Sequence, residues 1–374
     1  MLFMHDIHNA AETNEATSKP SRLARRSAIA LGLASVAVAG VVYAKPESIA
    51  AADVASNASA KSVVPTNEIT AKAVTFNNNG LQMAGNLYLP KGFNANHKYA
   101  AIITVHPGGG VKEQTAGGYA QRLADQGFVT LAFDASHQGA SEGMPRYLDD
   151  PALRVGDIYS AIDYVTSLPY VDTANIGALG ICAGSGATVK AASFDHRVKA
   201  IATVSAVDVG AATRRGWDGN NRESDLIPTL DAVAKQRTAE ANGAAPVYVP
   251  YVPAVGDKTA PFDLQQAADY YLTPRGQHPN APNKMLLTSV SRLAAFDGFG
   301  QAGTLLTQPL LVVAGTAAGS LWQSKELYAK ATGPKELSLV DGATHMDLYD
   351  GPGMNVAMTK VAPFFKRKLD AKTK

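Results

Sequence analysis

The sequence has little cysteine and little net charge. Cys182 is the only cysteine among 374 residues, so an internal disulfide and a cysteine-rich metal cluster are both excluded. The formal net charge is +2, and no basic stripe interleaved with aromatic residues argues for a nucleic-acid partner. No HExxH motif is present, and the glycines at 108–110 are not followed by Lys-Ser/Thr at the P-loop spacing. We therefore expect no metal or other cofactor, and a small molecule as the partner.

The first 44 residues have the composition of an export signal. Arg22, Arg25 and Arg26 precede a run without charge from residue 27 to 44. The adjacent arginines resemble a twin-arginine signal, while an ordinary secretory (Sec-type) signal and an uncleaved membrane anchor are the alternatives. We expect cleavage, a periplasmic or secreted protein, and no stable membrane insertion afterwards. Residues 45–66, rich in Ala, Ser and Asn, predict a flexible linker.

Residues 67–370 predict one large α/β domain. Hydrophobic residues make up 46% of the chain, enough for one extensive core. Apolar runs predict strands, and helical spacing alternates with them from residue 99 onward, which indicates a mostly parallel sheet with helices on both faces. The predicted strands are 71–76, 81–89, 99–105, 128–133, 175–180, 198–204, 309–314 and 336–340, and the predicted helices are 116–126, 151–167, 183–194, 324–331 and 355–369.

The alternation stops between about 209 and 307. Proline-rich turns and short helical pieces there carry many aromatic side chains, which predicts a helical cap inserted over the sheet. Most of these aromatics are expected to form the small core of the cap itself: Trp217, Tyr248, Tyr251, Phe262, Tyr270, Tyr271, Phe296 and Phe299.

Cys182 lies where a predicted strand turns sharply into a predicted helix. Gly180 and Gly184 stand two residues before and after it, which is the Gly-x-Cys-x-Gly pattern of a nucleophile on a tight turn. A position at a helix N-terminus favours the thiolate over the thiol. The alternative is a small buried apolar residue, because free cysteine is often buried. Ser185 is a rival nucleophile, but it lacks glycines at the flanking positions.

Four longer stretches resemble a known group of enzymes. The sequences HPGGGVKEQTAGGYA, AFDASHQGASEG, GICAGSGA and DGATHMDLYD are similar to those of α/β-hydrolases. The cysteine in the turn resembles the dienelactone hydrolase branch, and the same stretches resemble bacterial α/β-hydrolases and fungal polyketide transferases. The resemblance covers residues 70–368 and implies an α/β-hydrolase fold.

The resemblance also assigns roles to particular residues. Cys182 matches the nucleophile, and His345, after the last predicted strand, matches the general base. Ala183 matches one backbone donor of the oxyanion hole, and Gly108 or Gly109 the other.

The acid of the expected triad is less clear from the sequence. It usually follows the strand predicted at 309–314, but residues 315–320 contain no carboxylate. Asp208, just after the preceding strand, is the substitute, with a helix or turn cap as its alternative role. Glu326 and Asp347 are the further candidates for the acid.

Two further histidines, His106 and His137, also fall near carboxyl ends of predicted strands. Both are able to line a pocket, but a structural hydrogen-bonding role is the favoured interpretation of His106 in HPGGG.

These residues predict a hydrolase that cleaves an ester, lactone or thioester through a cysteine acyl-enzyme. The low charge, the aromatic cap and Trp322 favour an uncharged or weakly charged substrate with an apolar group. An acyltransferase with the same nucleophile and a noncatalytic pocket-binding protein are the alternatives. The sequence leaves the oligomeric state open.

Overall fold

The computed structural model describes residues 71–369. The predicted export signal, the predicted linker and residues 370–374 lie outside the described residues.

An eight-stranded sheet forms the centre of the molecule. Its order is β1-β2-β4-β3-β5-β6-β9-β10; β1 and β2 pair antiparallel, β2 joins β4 antiparallel, and every other pair is parallel. The predicted mostly parallel sheet is therefore confirmed. The strands are β1 Lys72–Asn78, β2 Leu81–Tyr88, β3 Tyr99–Val105, β4 Val129–Phe133, β5 Val171–Ile181, β6 Val198–Val204, β7 Tyr248–Val249, β8 Met285–Leu286, β9 Leu310–Gly315 and β10 Lys335–Val340; β7 and β8 pair outside the sheet.

Helices cover both faces of the sheet. One buried apolar cluster joins the sheet to α1 and α9, and a second joins it to α2, α3 and α8. None of the helices within residues 71–369 is both long enough and apolar enough to traverse a bilayer. The helices are α1 Thr115–Asp125, α2 Pro151–Ser167, α3 Ala183–Phe194, α4 Val209–Arg215, α5 Ile227–Ala241, α6 Phe262–Leu272, α7 Ser289–Ala295, α8 Leu321–Lys330 and α9 Gly351–Leu369.

Local sequence explains where several elements begin and end. Asn79 and Gly80 both have positive φ, 50° and 93°, as the tight turn between β1 and β2 requires. Asp150 accepts a hydrogen bond from Ala152 N and Pro151 follows it, so α2 begins with a capped first turn. The strand predicted at 175–180 begins earlier, at Val171.

The chain leaves the sheet after β6 and returns to it at β9. Between them lie α4 to α7 and the β7–β8 pair, which form the cap. The aromatic side chains of the cap differ in burial. Tyr270, Phe296 and Phe299 are buried, whereas Phe262 and Tyr248 are exposed.

The turn between β5 and α3 is packed directly against the end of β3. A Cβ atom on Gly184 would overlap the Val105 carbonyl oxygen and lie 2.8 Å from the His106 carbonyl oxygen. A Cβ atom on Gly180 would lie 2.5 Å from Ser185 Cα. Both glycines of the sequence motif are therefore required by close backbone approach.

Substituting alanine for glycine is predicted to have opposite effects at two positions. Gly184→Ala should lower the free energy of unfolding by about 3 kcal/mol, because the added methyl group meets backbone oxygens that have little room to move. Gly156→Ala, inside α2 with open space around the position, should raise it by about 0.5–1 kcal/mol. Urea denaturation of both variants measures the difference. Equal stability of wild type and Gly184→Ala would contradict this packing.

Candidate active site

Cys182 is presented at the tip of the turn between β5 and α3. It has φ 51° and ψ −124°, a strained conformation for a residue with a side chain, which costs about 1–3 kcal/mol. Its backbone N donates to Val204 O, which anchors the turn to β6. The side chain is partly exposed on a cavity of about 350 Å³ between the sheet and the cap. The predicted sharp turn is therefore present, and it directs the sulfur into a cavity.

Two backbone N–H groups are directed at the sulfur of Cys182. They belong to Ala183, at the start of α3, and to Gly108, in the turn after β3. Of the two glycines that the sequence left open, the geometry favours Gly108 as the donor. Gly109 has φ 67° and lies beneath Tyr251, where a Cβ atom would be 2.6 Å from the ring. A substitution at Gly109 would therefore disturb the cap as well as the turn.

His345 follows β10 and is completely buried at the wall of the same cavity. Its Nδ1 lies 2.6 Å from Ser320 Oγ, and its Nε2 lies 3.2 Å from the Tyr349 hydroxyl. Ser320 belongs to the turn after β9, where the resemblance led us to expect a carboxylate. The side chain that holds Nδ1 of His345 is therefore a serine hydroxyl.

Asp208 does not contact His345 in the part of the chain that the structure describes. One of its carboxylate oxygens accepts from the backbone N of Gly210 and Ala211, which caps α4, and the other accepts from Gly298 N at 3.0 Å. The prediction of Asp208 as the triad acid is therefore corrected to its alternative, a helix cap. The sequence correctly predicted that Asp208 follows the carboxyl end of β6. However, α4 begins at the next residue, and the carboxylate of Asp208 caps its N-terminus.

The carboxylates of Glu326 and Asp347, the other candidates for the acid, also have other partners. Glu326 forms ion pairs with Arg215 and Lys330. Asp347 accepts from Thr344 N and stabilises the turn that follows His345.

Asp263 of the cap, which the sequence did not single out, approaches His345 instead. This buried carboxylate accepts from Trp217 Nε1 at 2.8 Å, from Gly319 N at 2.7 Å and from the backbone N of His345 at 3.3 Å. It lies on α6, far from His345 in sequence and outside any motif. Its charge favours the protonated form of the imidazole, although it does not touch the ring nitrogens.

Burial determines the protonation states of Cys182 and His345. It raises the pKa of the Cys182 thiol, and hydrogen bonds from Tyr349, Ala183 and Gly108 offset only part of this effect. It also lowers the pKa of His345 to about 4, against the opposing effect of Asp263. Both groups are therefore neutral at pH 7. The helix N-terminus was expected to favour the thiolate, but the effect of burial on the pKa of Cys182 is the larger one.

His106 and His137 are held in structural hydrogen bonds. His106 Nδ1 donates to Pro107 O at 2.7 Å and Nε2 accepts from Ala135 N at 3.1 Å, so the neutral ring is fully paired. Burial lowers the pKa of His106 to about 3. His137 Nδ1 bonds to Pro145 O at 3.0 Å. The structural interpretation of His106 is confirmed.

The cavity is mostly apolar and is lined by two carboxylates but by no lysine or arginine. The two carboxylates belong to Asp149 and Asp263. Trp217 lines it in place of Trp322, whose Nε1 donates to Trp217 O and whose ring packs against Arg215. The other lining residues are Pro107, Gly108, Cys182, Ala183, Val207, Val209, Ala212, Thr213, Pro250, Tyr251, Val252, Leu264, Ala267, Tyr271, Met285, Leu293, His345, Met346 and Tyr349.

The structure also bears on metal binding. Within residues 71–369, no three His, Cys, Asp or Glu side chains are grouped closely enough to hold a metal ion.

The rate at which Cys182 is alkylated is predicted to keep increasing with pH above the pKa of an ordinary cysteine thiol. Because burial raises the pKa of Cys182 above its usual 9.0, the rate of its alkylation by iodoacetamide should still be rising at that pH. N-acetylcysteine is the reference thiol, and the loss of the free thiol over time is the measurement. A rate that levels off near neutral pH would show a thiolate in the resting protein and contradict this account.

Comparisons with known proteins identify the family. A family model described as "Dienelactone hydrolase family" matches residues 83–211, which include Gly108 and Cys182. The protein YcjY of Escherichia coli K12 is 45% identical over 295 residues, covering 78% of this chain and 96% of that protein. Polyketide transferase claH of Penicillium crustosum is 25% identical over 297 residues, covering 78% and 94%.

Solved structures show the same fold. The crystal structure of PA2218 from Pseudomonas aeruginosa has a TM-score of 0.76 and 34% identity, and the match covers 81% of this chain and 95% of that one. The α/β-hydrolase GrgF of Penicillium sp. sh18 has a TM-score of 0.67 and 22% identity, with 80% and 99% covered, a likeness of fold alone. The chain therefore belongs to the dienelactone hydrolase family of α/β-hydrolases.

Proposed function

We propose that this protein hydrolyses an ester, lactone or thioester bond through an acyl-enzyme on Cys182. The observation that carries the proposal is the position of the sulfur. It faces a cavity, with the backbone N–H groups of Gly108 and Ala183 directed at it and the ring of His345 at the cavity wall. This is the arrangement needed to attack a carbonyl carbon and hold the charge on its oxygen.

In the proposed reaction, His345 is the general base and Cys182 attacks the acyl carbon. The negative charge that develops on the carbonyl oxygen is held by the N–H groups of Gly108 and Ala183, each worth about 2.7–4 kcal/mol at the transition state. The alcohol or thiol leaves with a proton returned from His345, and water then attacks the thioester with His345 again as base. Ser320 fixes the orientation of the imidazole throughout.

Cavity chemistry favours a neutral acyl group. Asp149 and Asp263 line the space, and Arg154 lies behind the turn at His106, where it donates to the His106 carbonyl. An anionic acyl chain would lie near the carboxylates of Asp149 and Asp263, and no lysine or arginine lines the cavity to pair with it. Like charges close together in a mostly apolar cavity are unfavourable. Apolar side chains at the cap side, among them Leu264 and Leu293, suit a hydrocarbon chain.

Acyl transfer to an alcohol or amine is the second candidate. It uses the same thioester, and two observations favour it. The base is fully buried and the cavity is mostly apolar, which limits the access of water, and a relative is named a polyketide transferase. Adding an alcohol to a turnover assay and analysing the products distinguishes transfer from hydrolysis.

We also propose that the protein works outside the cytoplasm. The arginines and the uncharged run of the first 44 residues support export, and fractionation of cells expressing the full chain tests it.

Replacing the nucleophile is predicted to abolish turnover. With 4-nitrophenyl butyrate, Cys182→Ala should lower kcat/KM at least about 10³-fold because no acyl-enzyme forms. Cys182→Ser should also be slow, since a neutral buried imidazole is a weak base for a hydroxyl whose pKa is far above that of a thiol. Release of nitrophenolate measures both variants. Wild-type rates in Cys182→Ala would refute the proposed nucleophile.

Charge on the acyl chain is predicted to control the rate. 4-Nitrophenyl butyrate should react at least about 10-fold faster than 4-nitrophenyl hemisuccinate, which has a chain of similar length ending in a carboxylate, because like charges are brought together in the cavity. The variant Asp149→Asn should narrow the gap by speeding the anionic substrate. Equal kcat/KM for the two esters in the wild type would contradict the neutral-substrate proposal.

A further inference from the structure

The hydroxyl of Tyr349 lies between the nucleophile and the base. It is 3.2 Å from Nε2 of His345, and it also hydrogen bonds with the thiol of Cys182. Tyr349 stands four residues after His345, beyond the short 3₁₀ turn Met346–Leu348, so one turn of chain brings both side chains to the same wall of the cavity. The three groups form a continuous line from sulfur to imidazole.

Neither ring nitrogen of His345 is available for a direct hydrogen bond to the sulfur in this arrangement. Nδ1 is held by Ser320 and Nε2 by Tyr349. A neutral imidazole has one donor nitrogen and one acceptor nitrogen. The Tyr349 hydroxyl carries one proton, and rotation about the C–O bond selects its acceptor. Turned toward the sulfur, it donates to Cys182 and lowers the pKa of the thiol. Turned toward the ring, with Nδ1–H donating to Ser320, it donates to Nε2, and its oxygen then accepts from the thiol. The hydrogen bonds then all run in one direction, from Cys182 to Ser320.

Tyr349 is packed too tightly to act as a side chain that swings away. Only 2% of it is exposed, and its ring meets Tyr270 and Tyr271 edge to face at centroid distances of 5.5 and 6.5 Å. The preceding carbonyl, of Leu348, accepts a hydrogen bond from the Tyr119 hydroxyl at 2.8 Å. The ring and its backbone are therefore both fixed.

We infer that Tyr349 is a catalytic proton relay between Cys182 and His345, an inference that rests on the proposed cysteine chemistry. The S–H bond breaks as the sulfur attacks the acyl carbon, and its proton passes to the Tyr349 oxygen. In the same step the Tyr349 O–H proton passes to His345 Nε2. Tyr349 begins and ends neutral, His345 becomes an imidazolium, and the negative charge lies on the carbonyl oxygen.

The relay runs backwards when the leaving group departs. The imidazolium returns its Nε2 proton to the Tyr349 oxygen, and the Tyr349 proton passes to the departing alkoxide or thiolate. A relay avoids a tyrosinate, which matters because burial, with the nearby thiol, raises the pKa of Tyr349. Through the relay, the neutral thiol of Cys182 and the neutral ring of His345 exchange a proton without direct contact.

The test compares two tyrosine-to-phenylalanine variants with 4-nitrophenyl butyrate. Tyr349→Phe keeps the ring but removes the bridging hydroxyl, so kcat/KM should fall about 10²-fold or more, in the range of general acid–base contributions. Tyr270→Phe is the matched control. Its ring belongs to the same cluster, but its hydroxyl accepts from Thr115 N at the start of α1, and its kcat/KM should stay within about twofold.

Solvent isotope measurements separate a relay from a merely structural role. In mixtures of H₂O and D₂O, kcat/KM of the wild type should follow a curve that requires two protons in flight, and the residual activity of Tyr349→Phe should follow a straight line. A straight line for the wild type overturns the relay. This measurement needs no variant, so it decides the matter even if Tyr349→Phe does not fold.

The outcomes also separate this inference from the proposed function. If Tyr349→Phe keeps kcat/KM within about threefold while Cys182→Ala is inactive, the relay is wrong and the cysteine chemistry stands. If Cys182→Ala is also active, the proposed function itself is wrong.

Discussion

The close contact between the turn after β5 and the end of β3 is the constraint on which the site depends. Gly184 lies against the carbonyl groups of Val105 and His106, and any side chain there would push the two strands apart. At this contact Cys182 has a positive φ and lines the cavity, and the N–H groups of Gly108 and Ala183 both donate to its sulfur. The proposed nucleophile and both proposed oxyanion donors thus lie at one tightly packed contact.

Burial is the second common cause, and it acts on Cys182, His345 and Tyr349 together. It holds the thiol and the imidazole neutral, and it raises the pKa of Tyr349. In the proposed reaction, charge develops on the carbonyl oxygen and on His345, where fixed donors and the carboxylate of Asp263 stabilise it better than water would. The serine at Nδ1 of His345 fits this pattern, since it orients the ring without adding a charge to the resting site.

Features that depend on local sequence were predictable, and those that depend on the cap were not. The glycines beside Cys182 and the position of His345 after the last strand indicated that both residues lie at one cavity, because turn geometry and chain order depend on local sequence. Ser320 lies after β9, where the acid of the triad was expected, but only carboxylates were considered for that role. Asp263 reaches His345 only through folding of the cap, and no spacing rule relates the two residues. Asp208 was misassigned because position at a strand end does not fix the direction of a side chain.

The most direct test of the account is the mass of the protein during turnover. When the reaction with 4-nitrophenyl butyrate is stopped with acid, the account predicts a fraction of protein carrying one butyryl group on the peptide that contains Cys182, released by hydroxylamine as a thioester should be. Turnover with no covalent adduct, or with the butyryl group on Ser185, would contradict the central claim that this sulfur is the nucleophile.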